Sequence, residues 1–137
     1  MNSKPTKILL IEDSMEDAII IREMLKETSN TFKMEHVDRL KTGFETLFKD
    51  SFDLILLDLN LPKKDGREVL EEIKNDGVLK SIPVIILSTS KNETDIHRTY
   101  ELKANCYISK PVELDHFFDI ILELERFWLN TVKLPQN

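Results

Sequence analysis

Short apolar runs recur along the chain, and longer stretches with a helical spacing of apolar residues separate them. The runs cover residues 7–11, 34–37, 54–57, 84–87 and 106–108. Strands that are buried on both faces of a parallel sheet have this length and composition. The pattern therefore predicts five strands.

The intervening stretches place apolar residues three and four positions apart, which gives each helix one buried stripe. The clearest stripes are Ala18, Ile21 and Leu25 after the capping candidate Ser14, and Val69, Leu70 and Ile73 after Asp65 and Gly66. Parallel strands need such crossover helices. We therefore predict an α/β fold, a doubly wound five-stranded parallel sheet with helices on both faces.

The chain length fits one ordinary domain, since 137 residues leave no room for a second core. We expect a single domain over residues 1–137, with a core at about 7–130 and a short C-terminal tail at 131–137. Residues 1–6 and 134–137 are expected to be frayed ends.

Charge and cysteine content narrow the possible partners and location. The formal net charge of −6 disfavours binding to nucleic acid or anionic lipid. Cys106 is the only cysteine, which excludes an internal disulfide and a cysteine-built zinc site and fits a reducing, cytoplasmic location. No apolar stretch approaches the roughly 18 residues of a membrane span, so we expect no membrane insertion.

Polar residues follow four of the five predicted strands, at the end where doubly wound sheets bind ligands. Glu12 and Asp13 follow the first strand, Asp58 the third, Ser88 the fourth and Lys110 the fifth. In a 2-1-3-4-5 order the first and third strands are neighbours, and the three acids share one concavity. Two bare carboxylates about 4 Å apart repel by roughly 4 kcal/mol at an effective dielectric near 20. The pattern therefore predicts a positive charge at this place.

A hard divalent cation suits these acids, because Mg²⁺ takes one or two carboxylates and keeps several waters. Lys110 adds a mobile positive charge that can neutralise a transferring phosphoryl group. Asp58 could attack phosphorus in line and become an acyl phosphate. We therefore interpret Asp58 as a nucleophile, the clustered acids as a metal site and Lys110 as a clamp for the phosphoryl group.

Four motifs in this sequence resemble those of the receiver domains of bacterial response regulators, and the resemblance extends over nearly the whole chain. They are Ile11-Glu12-Asp13, residues 57–62 with Asp65-Gly66, Leu87-Ser88-Thr89, and residues 107–111. The resemblance implies the flavodoxin-like strand order 2-1-3-4-5.

By this resemblance Asp58 is the phosphoacceptor and Lys110 the phosphate clamp. Asp13 and Asp58 would bind Mg²⁺ directly, with Mn²⁺ as an acceptable substitute. Glu12 would bind the ion through water, and Asn60 through its main-chain carbonyl. Phosphoryl transfer and dephosphorylation would be self-catalysed, so we expect a signalling phosphoacceptor rather than an enzyme.

Two further residues would form a switch by the same resemblance. The Ser88 hydroxyl would turn toward the phosphoryl group, and Tyr107 would follow it as an aromatic switch. Each of these residues also fits ordinary packing at a strand end. The resemblance further implies a cis peptide between Lys110 and Pro111, which is inexpensive for an X-Pro bond.

A subgroup resemblance points to the partners. Residues 61–70, 104–108 and 127–129 resemble small single-domain regulators that serve phytochrome-type sensor kinases. The phosphoryl donor would then be a phosphohistidine on a sensor histidine kinase of a light-sensing type. With no output domain in this sequence, we expect a separate downstream protein, which the sequence does not identify.

The last predicted helix, residues 114–129, carries two apolar stripes where a helix on a sheet needs one. The first stripe is Leu114, Phe117, Ile121, Leu124 and Trp128, and the second is Phe118, Leu122 and Leu129. A surplus stripe usually marks a partner surface, so we expect a homodimer through this helix. The alternative is that residues 131–134 fold back over the second stripe.

Three other functions compete with phosphoacceptor signalling. A receiver-like module could dock partners without being phosphorylated, although every chemical position is filled here. An aspartate-based phosphatase would need an acid two residues after Asp58, where this chain has Asn60. A flavin-binding flavodoxin would need a Ser/Thr/Gly-rich phosphate loop after the first strand, and residues 12–17 are acidic instead.

Overall fold

The chain, in a computed structural model, forms one five-stranded parallel sheet. Residues 5–27, 32–38, 40–59 and 66–135 are described, the side chains of residues 40 and 41 excepted. The strands are β1 (Thr6–Ile11), β2 (Phe32–Val37), β3 (Leu54–Asp58), β4 (Val84–Ser88) and β5 (Cys106–Ser109). Their order is β2-β1-β3-β4-β5, and every neighbouring pair is parallel. The predicted strands, sheet order and fold class are confirmed.

Helices connect the strands. They are α1 (Met15–Lys26), α2 (Leu40–Lys49), α3 (Gly66–Asn75), α4 (Glu93–Glu101) and α5 (Leu114–Leu124), with a 3₁₀ turn at Leu79–Ser81 and a π-helical segment at Glu125–Thr131. Helix α1 begins after the predicted cap, because the Ser14 side chain accepts a hydrogen bond from the Asp17 amide. Asn92 caps α4 in the same way, accepting from the Thr94 and Asp95 amides.

Four of the helices, α1, α2, α3 and α5, bury apolar residues against the two faces of the sheet. On one face α2 and α3 contribute Leu47, Val69, Leu70 and Ile73. On the other face α1 and α5 contribute Ala18, Ile21, Leu25, Phe117, Ile121 and Leu124. The central strands β3 and β4 are buried at every position, as their apolar composition predicts. This rigid centre holds the strand ends that carry the polar residues.

Close packing holds the start of α3 against the end of β3. A Cβ atom on Gly66 would lie 2.9 Å from the Leu59 Cα and 3.2 Å from the Asp58 carbonyl oxygen. Only glycine therefore allows α3 to begin this close to the end of β3.

The C-terminal region departs from the predicted single helix. Helix α5 ends at Leu124, and the chain continues with wider turns in which the Val132 amide donates to the Phe127 carbonyl. Phe117, Ile121 and Leu124 of the first stripe are buried, but Leu114 is 52% exposed, so its assignment to that stripe is wrong.

Two residues near the chain ends belong to the fold, whereas residues 1–4 and 136–137 lie outside the described residues. Thr6 lies in β1, and Leu134 packs against the same core cluster as Trp128 and Leu129. The interpretation of these two positions as frayed is therefore wrong. Leu129 of the second stripe packs against that cluster as well, whereas Leu122 remains 40% exposed.

In the described parts of the chain, no helix combines the length and the apolar character that crossing a membrane requires.

Candidate functional site

Three carboxylates meet at the carboxyl ends of β1 and β3. Glu12 and Asp13 follow β1, and Asp58 is the last residue of β3. Because Ile11 pairs with Leu57 in the sheet, the residues that follow them lie side by side. One carboxylate oxygen from each acid lies within 4.8 Å of the others. Glu12 and Asp58 are buried, whereas Asp13 is exposed.

Lys110 provides the positive charge at this cluster. It directly follows β5, and its amide donates to the Ser88 carbonyl at 2.7 Å. Its Nζ lies 2.5 Å from Glu12 Oε1, 3.0 Å from Asp17 Oδ2 and 3.4 Å from Asp58 Oδ2. Folding therefore brings Glu12, Asp58 and Lys110 together, as the strand-end pattern predicts.

The charges in this pocket are unbalanced, and the pKa values show it. Burial, together with the hydrogen bond and charge of Asp58, raises the pKa of Glu12 to about 8, although Lys110 acts to lower it. Burial alone would lower the pKa of Lys110, but its bonds and charges with Glu12 and Asp58 outweigh burial and raise it. The close approach of buried acids therefore favours the uptake of a proton or of another cation by this pocket.

The donor set suits a divalent metal. Carboxylate oxygens are the ligands that Mg²⁺ and Mn²⁺ prefer, and three of them converge here. Asp13 and Asp58 could hold such an ion, and the Glu12 carboxylate lies next to them. The ion would supply positive charge that orients and neutralises a phosphoryl oxygen. The predicted Asn60 carbonyl ligand lies outside the described residues, as do Asp65 and residues 61–64.

Asp17 belongs to this pocket, although the sequence analysis did not single it out. It lies in the first turn of α1 and contacts Lys110 Nζ at 3.0 Å. The sequence offers one signal that Asp17 belongs to the site, since it lies four residues after Asp13 in an acidic segment. Acids are common in the first turn of any helix, however, because they favour the positive end of its dipole.

His36 supports the pocket from β2. Its Nε2 donates to the Glu12 main-chain carbonyl at 2.6 Å, since a carbonyl can only accept. The Glu12 amide in turn donates to the Val37 carbonyl at 3.0 Å. The backbone of Glu12 is therefore held on both sides.

Ser88 and Tyr107 share a partner in the loop after β4. Buried Ser88 accepts a hydrogen bond from the Ser90 amide at 3.1 Å. The Tyr107 hydroxyl donates to the Ser90 carbonyl at 2.9 Å, and the ring is partly buried. The Tyr107 amide donates to the Tyr100 hydroxyl at 3.0 Å. The two predicted switch residues thus contact the same loop residue, Ser88 at its amide and Tyr107 at its carbonyl.

The same loop is tied to α3 and α4. The Ser90 hydroxyl donates to Asp95 Oδ2 at 2.8 Å, and Arg67 Nη1 lies 3.2 Å from Asp95 Oδ1. The bond from Ser90 and the pairing with Arg67 hold the pKa of Asp95 below its usual value. This network, which the sequence analysis did not predict, links the start of α3 with the start of α4.

The expected cis peptide at Pro111 is wrong. The described residues contain no cis peptide bond, so the Lys110–Pro111 bond has the trans form that X-Pro bonds intrinsically favour.

Known proteins share this fold and sequence. Residues 8–122 match the family model of the response regulator receiver domain. Response regulator Rcp1 of Synechocystis sp. is 44% identical over 144 residues, which cover 98% of this chain and 96% of that relative. The solved structure of Mn²⁺-bound Rcp1 has a TM-score of 0.91 at 43% identity and covers 96% of this chain and 100% of that one. The phosphorylated cyanobacterial phytochrome response regulator RcpA has a TM-score of 0.91 at 45% identity, with 97% and 100% covered.

Proposed function

The chain belongs to the response regulator receiver domain family, and we propose that this phosphoacceptor response regulator takes its phosphoryl group on Asp58 with the help of bound Mg²⁺. The observation that supports this assignment most directly is the position of Asp58. Its buried carboxylate lies 3.4 Å from Lys110 Nζ and shares a cluster with Glu12 and Asp13.

The residues of this pocket can divide the reaction between them. Asp58 attacks phosphorus in line, the phosphorus bond to the donor nitrogen breaks, and an acyl phosphate forms. Lys110 balances the charge on the transferred group. Asp13 and Asp58 would hold Mg²⁺ directly and Glu12 would hold it through water. Asn60, outside the described residues, would contribute its main-chain carbonyl, as the family resemblance implies. Both transfer and release of the phosphoryl group are then self-catalysed.

The acceptor is tested by incubation with acetyl phosphate and Mg²⁺, followed by intact-mass measurement. We expect the wild type to gain one phosphoryl mass and Asp58→Asn to gain none. Asp53→Asn is the matched control, because Asp53 lies just before the opposite end of β3 and should leave labelling intact. No labelling of the wild type, either by acetyl phosphate or by a sensor kinase, would support the docking-only alternative.

We propose that the donor is a phosphohistidine on a sensor histidine kinase of the phytochrome type. Support comes from the similarity to RcpA, a phytochrome response regulator. Purified candidate kinases can be compared by the rate at which they label Asp58.

The protein would act in the cytoplasm as one receiver domain over residues 1–137, with its core at about 7–130.

The switch that we propose starts at Ser88. A phosphoryl group on Asp58 draws the Ser88 hydroxyl away from the Ser90 amide, the loop at residues 89–92 moves, and Tyr107 follows. The surface of α4, β5 and α5 then changes shape and is recognised by a downstream protein. Shifting such an equilibrium from 1:99 to 99:1 needs about 5.5 kcal/mol of differential stabilisation.

Hydrogen exchange of residues 89–92 tests this coupling. Ser88→Ala should still be labelled, but the exchange change on phosphorylation should shrink. Ser81→Ala, an exposed serine before β4, should respond like the wild type. An unaltered response in Ser88→Ala would exclude Ser88 from the switch.

We also propose a homodimer through the last helix. Leu114, Leu122 and Phe127 remain exposed on α5 and the segment after it, even with Leu134 packed against the core. In sedimentation velocity at micromolar concentration, the wild type should form a dimer that Leu122→Lys weakens. Val78→Lys replaces another exposed apolar residue, remote from α5 in sequence, and should leave the dimer intact. A wild-type monomer with and without acetyl phosphate would rule the dimer out.

A further inference from the structure

We propose that Asp17 is a positioning residue for Lys110. When a divalent cation takes the carboxylates of Glu12 and Asp58, Asp17 would hold the displaced lysine ammonium at the outer side of the pocket. The inference rests on the proposed function, because it concerns the same pocket.

The three acids around Lys110 Nζ differ in burial. The Glu12 and Asp58 side chains are 0% and 3% exposed, whereas the Asp17 side chain is 31% exposed. Lys110 itself is 9% exposed. The ammonium therefore lies between two inner carboxylates, Glu12 and Asp58, and one outer carboxylate, Asp17.

Local hydrogen bonds fix Asp17 relative to the inner acids. The Asp17 amide donates to Ser14 Oγ at 3.2 Å, and the Ser14 amide donates to Glu12 Oε2 at 3.3 Å. Glu12, Ser14, Asp17 and Lys110 thus form a closed ring of contacts. The start of α1 cannot shift without disturbing Glu12, so the Asp17 carboxylate stays beside the lysine.

A divalent cation and the Lys110 ammonium require the same inner oxygens. Glu12 and Asp58 belong to the acid cluster that suits a metal ion, and Asp17 does not. Because like charges repel, an entering cation displaces the ammonium from the inner carboxylates. Asp17 remains as its counter-ion and keeps the lysine next to Asp58, where the phosphoryl group arrives.

An ordinary helix-dipole role does not account for this contact. Glu16 occupies the same first turn of α1, is exposed, and contributes the same charge. The 3.0 Å contact with Lys110 is what sets Asp17 apart. Glu16→Gln is therefore the matched control, because it removes one carboxylate from the same turn.

This role is tested by measuring how tightly the full chain binds Mn²⁺ without a phosphoryl donor. Electron paramagnetic resonance reports the concentration of the free ion. Asp17→Asn and Glu16→Gln are each measured with Lys110 present and in a Lys110→Gln background. With Lys110 present, Asp17→Asn should weaken Mn²⁺ binding by about fivefold relative to Glu16→Gln, a size typical of coupled neighbouring charges. In the Lys110→Gln background the two variants should bind alike. Asp17→Glu should restore the wild-type affinity.

Other outcomes overturn the role. Equal affinities of Asp17→Asn and Glu16→Gln with Lys110 present would remove Asp17 from the pocket's function. If Asp17→Asn weakened Mn²⁺ binding by the same factor in the Lys110→Gln background, Asp17 would act on the metal directly. A wild type that binds no Mn²⁺ would refute the proposed metal site as well. Circular dichroism checks folding, and Asp17→Ser replaces any Asp17→Asn protein that does not fold.

Discussion

Lys110 and Glu12 are 98 positions apart in the chain, yet the lysine Nζ lies 2.5 Å from Glu12 Oε1. The Glu12 side chain is fully buried, the Lys110 side chain is 9% exposed, and Asp58 lies beside them. One ammonium cannot neutralise all the acids of this pocket. The unbalanced negative charge is the property that makes the site receptive to a divalent cation and to phosphoryl chemistry.

Removal of the ammonium should destabilise the metal-free protein. In Lys110→Gln, Glu12 and Asp58 lose their buried cationic partner, and the free energy of unfolding should fall by about 1 to 3 kcal/mol. Saturating Mg²⁺ should recover most of this loss. Urea unfolding with and without Mg²⁺ measures both effects, with Lys49→Gln on the exposed surface of α2 as the control. Unchanged stability in Lys110→Gln would contradict the charge argument.

Metal affinity should rise with pH. The pKa of Glu12 is raised to about 8, so below that pH the folded protein holds a proton that the cation must displace. The affinity for Mg²⁺ should therefore increase between about pH 6 and pH 8, by at most about tenfold per pH unit, and then level off. Isothermal titration calorimetry measures this slope. Glu12→Gln removes the titrating group and should flatten it, and an equally steep slope in that variant would assign the proton elsewhere.

Gly66 should not tolerate a side chain. In Gly66→Ala the new Cβ would meet the Leu59 Cα at 2.9 Å, and backbone cannot turn aside as a flexible side chain can. We expect a loss of about 1 to 3 kcal/mol in the free energy of unfolding, together with slower labelling by acetyl phosphate. Gly77→Ala is the control, because its Cβ would meet nothing within 4 Å. Similar urea midpoints for the two variants would contradict this packing.

The Tyr107 hydroxyl should stabilise the loop after β4. Tyr107→Phe removes its bond to the Ser90 carbonyl, which should cost about 1 kcal/mol. Hydrogen exchange at residues 89–92 should become faster. Tyr100→Phe also removes a hydroxyl, but that hydroxyl contacts the Tyr107 amide and should leave the loop unaffected. Equal protection of the loop in Tyr107→Phe and the wild type would show that the hydroxyl does not hold it.

The sheet and the centre of the site could be predicted because they depend on composition and topology. Residues 54–57 and 84–87 are apolar without interruption, which only strands buried on both faces require. Parallel strands end at one edge of the sheet, and the family resemblance supplied their order, which makes Glu12 and Asp58 neighbours. Lys110 follows β5 at the same edge, and its long side chain crosses the end of β4 to reach them.

Contacts that depend on helix packing were not predictable in this way. The side chain of Asp17 reaches Lys110 because of how α1 lies on the sheet, and an acid in a first helical turn does not reveal that. The apolar spacing likewise continues past Leu124, although the helix changes to wider turns there. Leu134 packs against the core through contacts distant in sequence, which periodicity does not report.

Chemical identification of the phosphorylated residue tests the central claim most directly. Borohydride reduces an aspartyl phosphate to homoserine, so the protein is treated with acetyl phosphate and Mg²⁺, reduced, digested and sequenced by mass spectrometry. We expect homoserine at position 58 and at no other aspartate, with none formed when Mg²⁺ is withheld. Homoserine at another position, or an equal yield without a divalent cation, would contradict it.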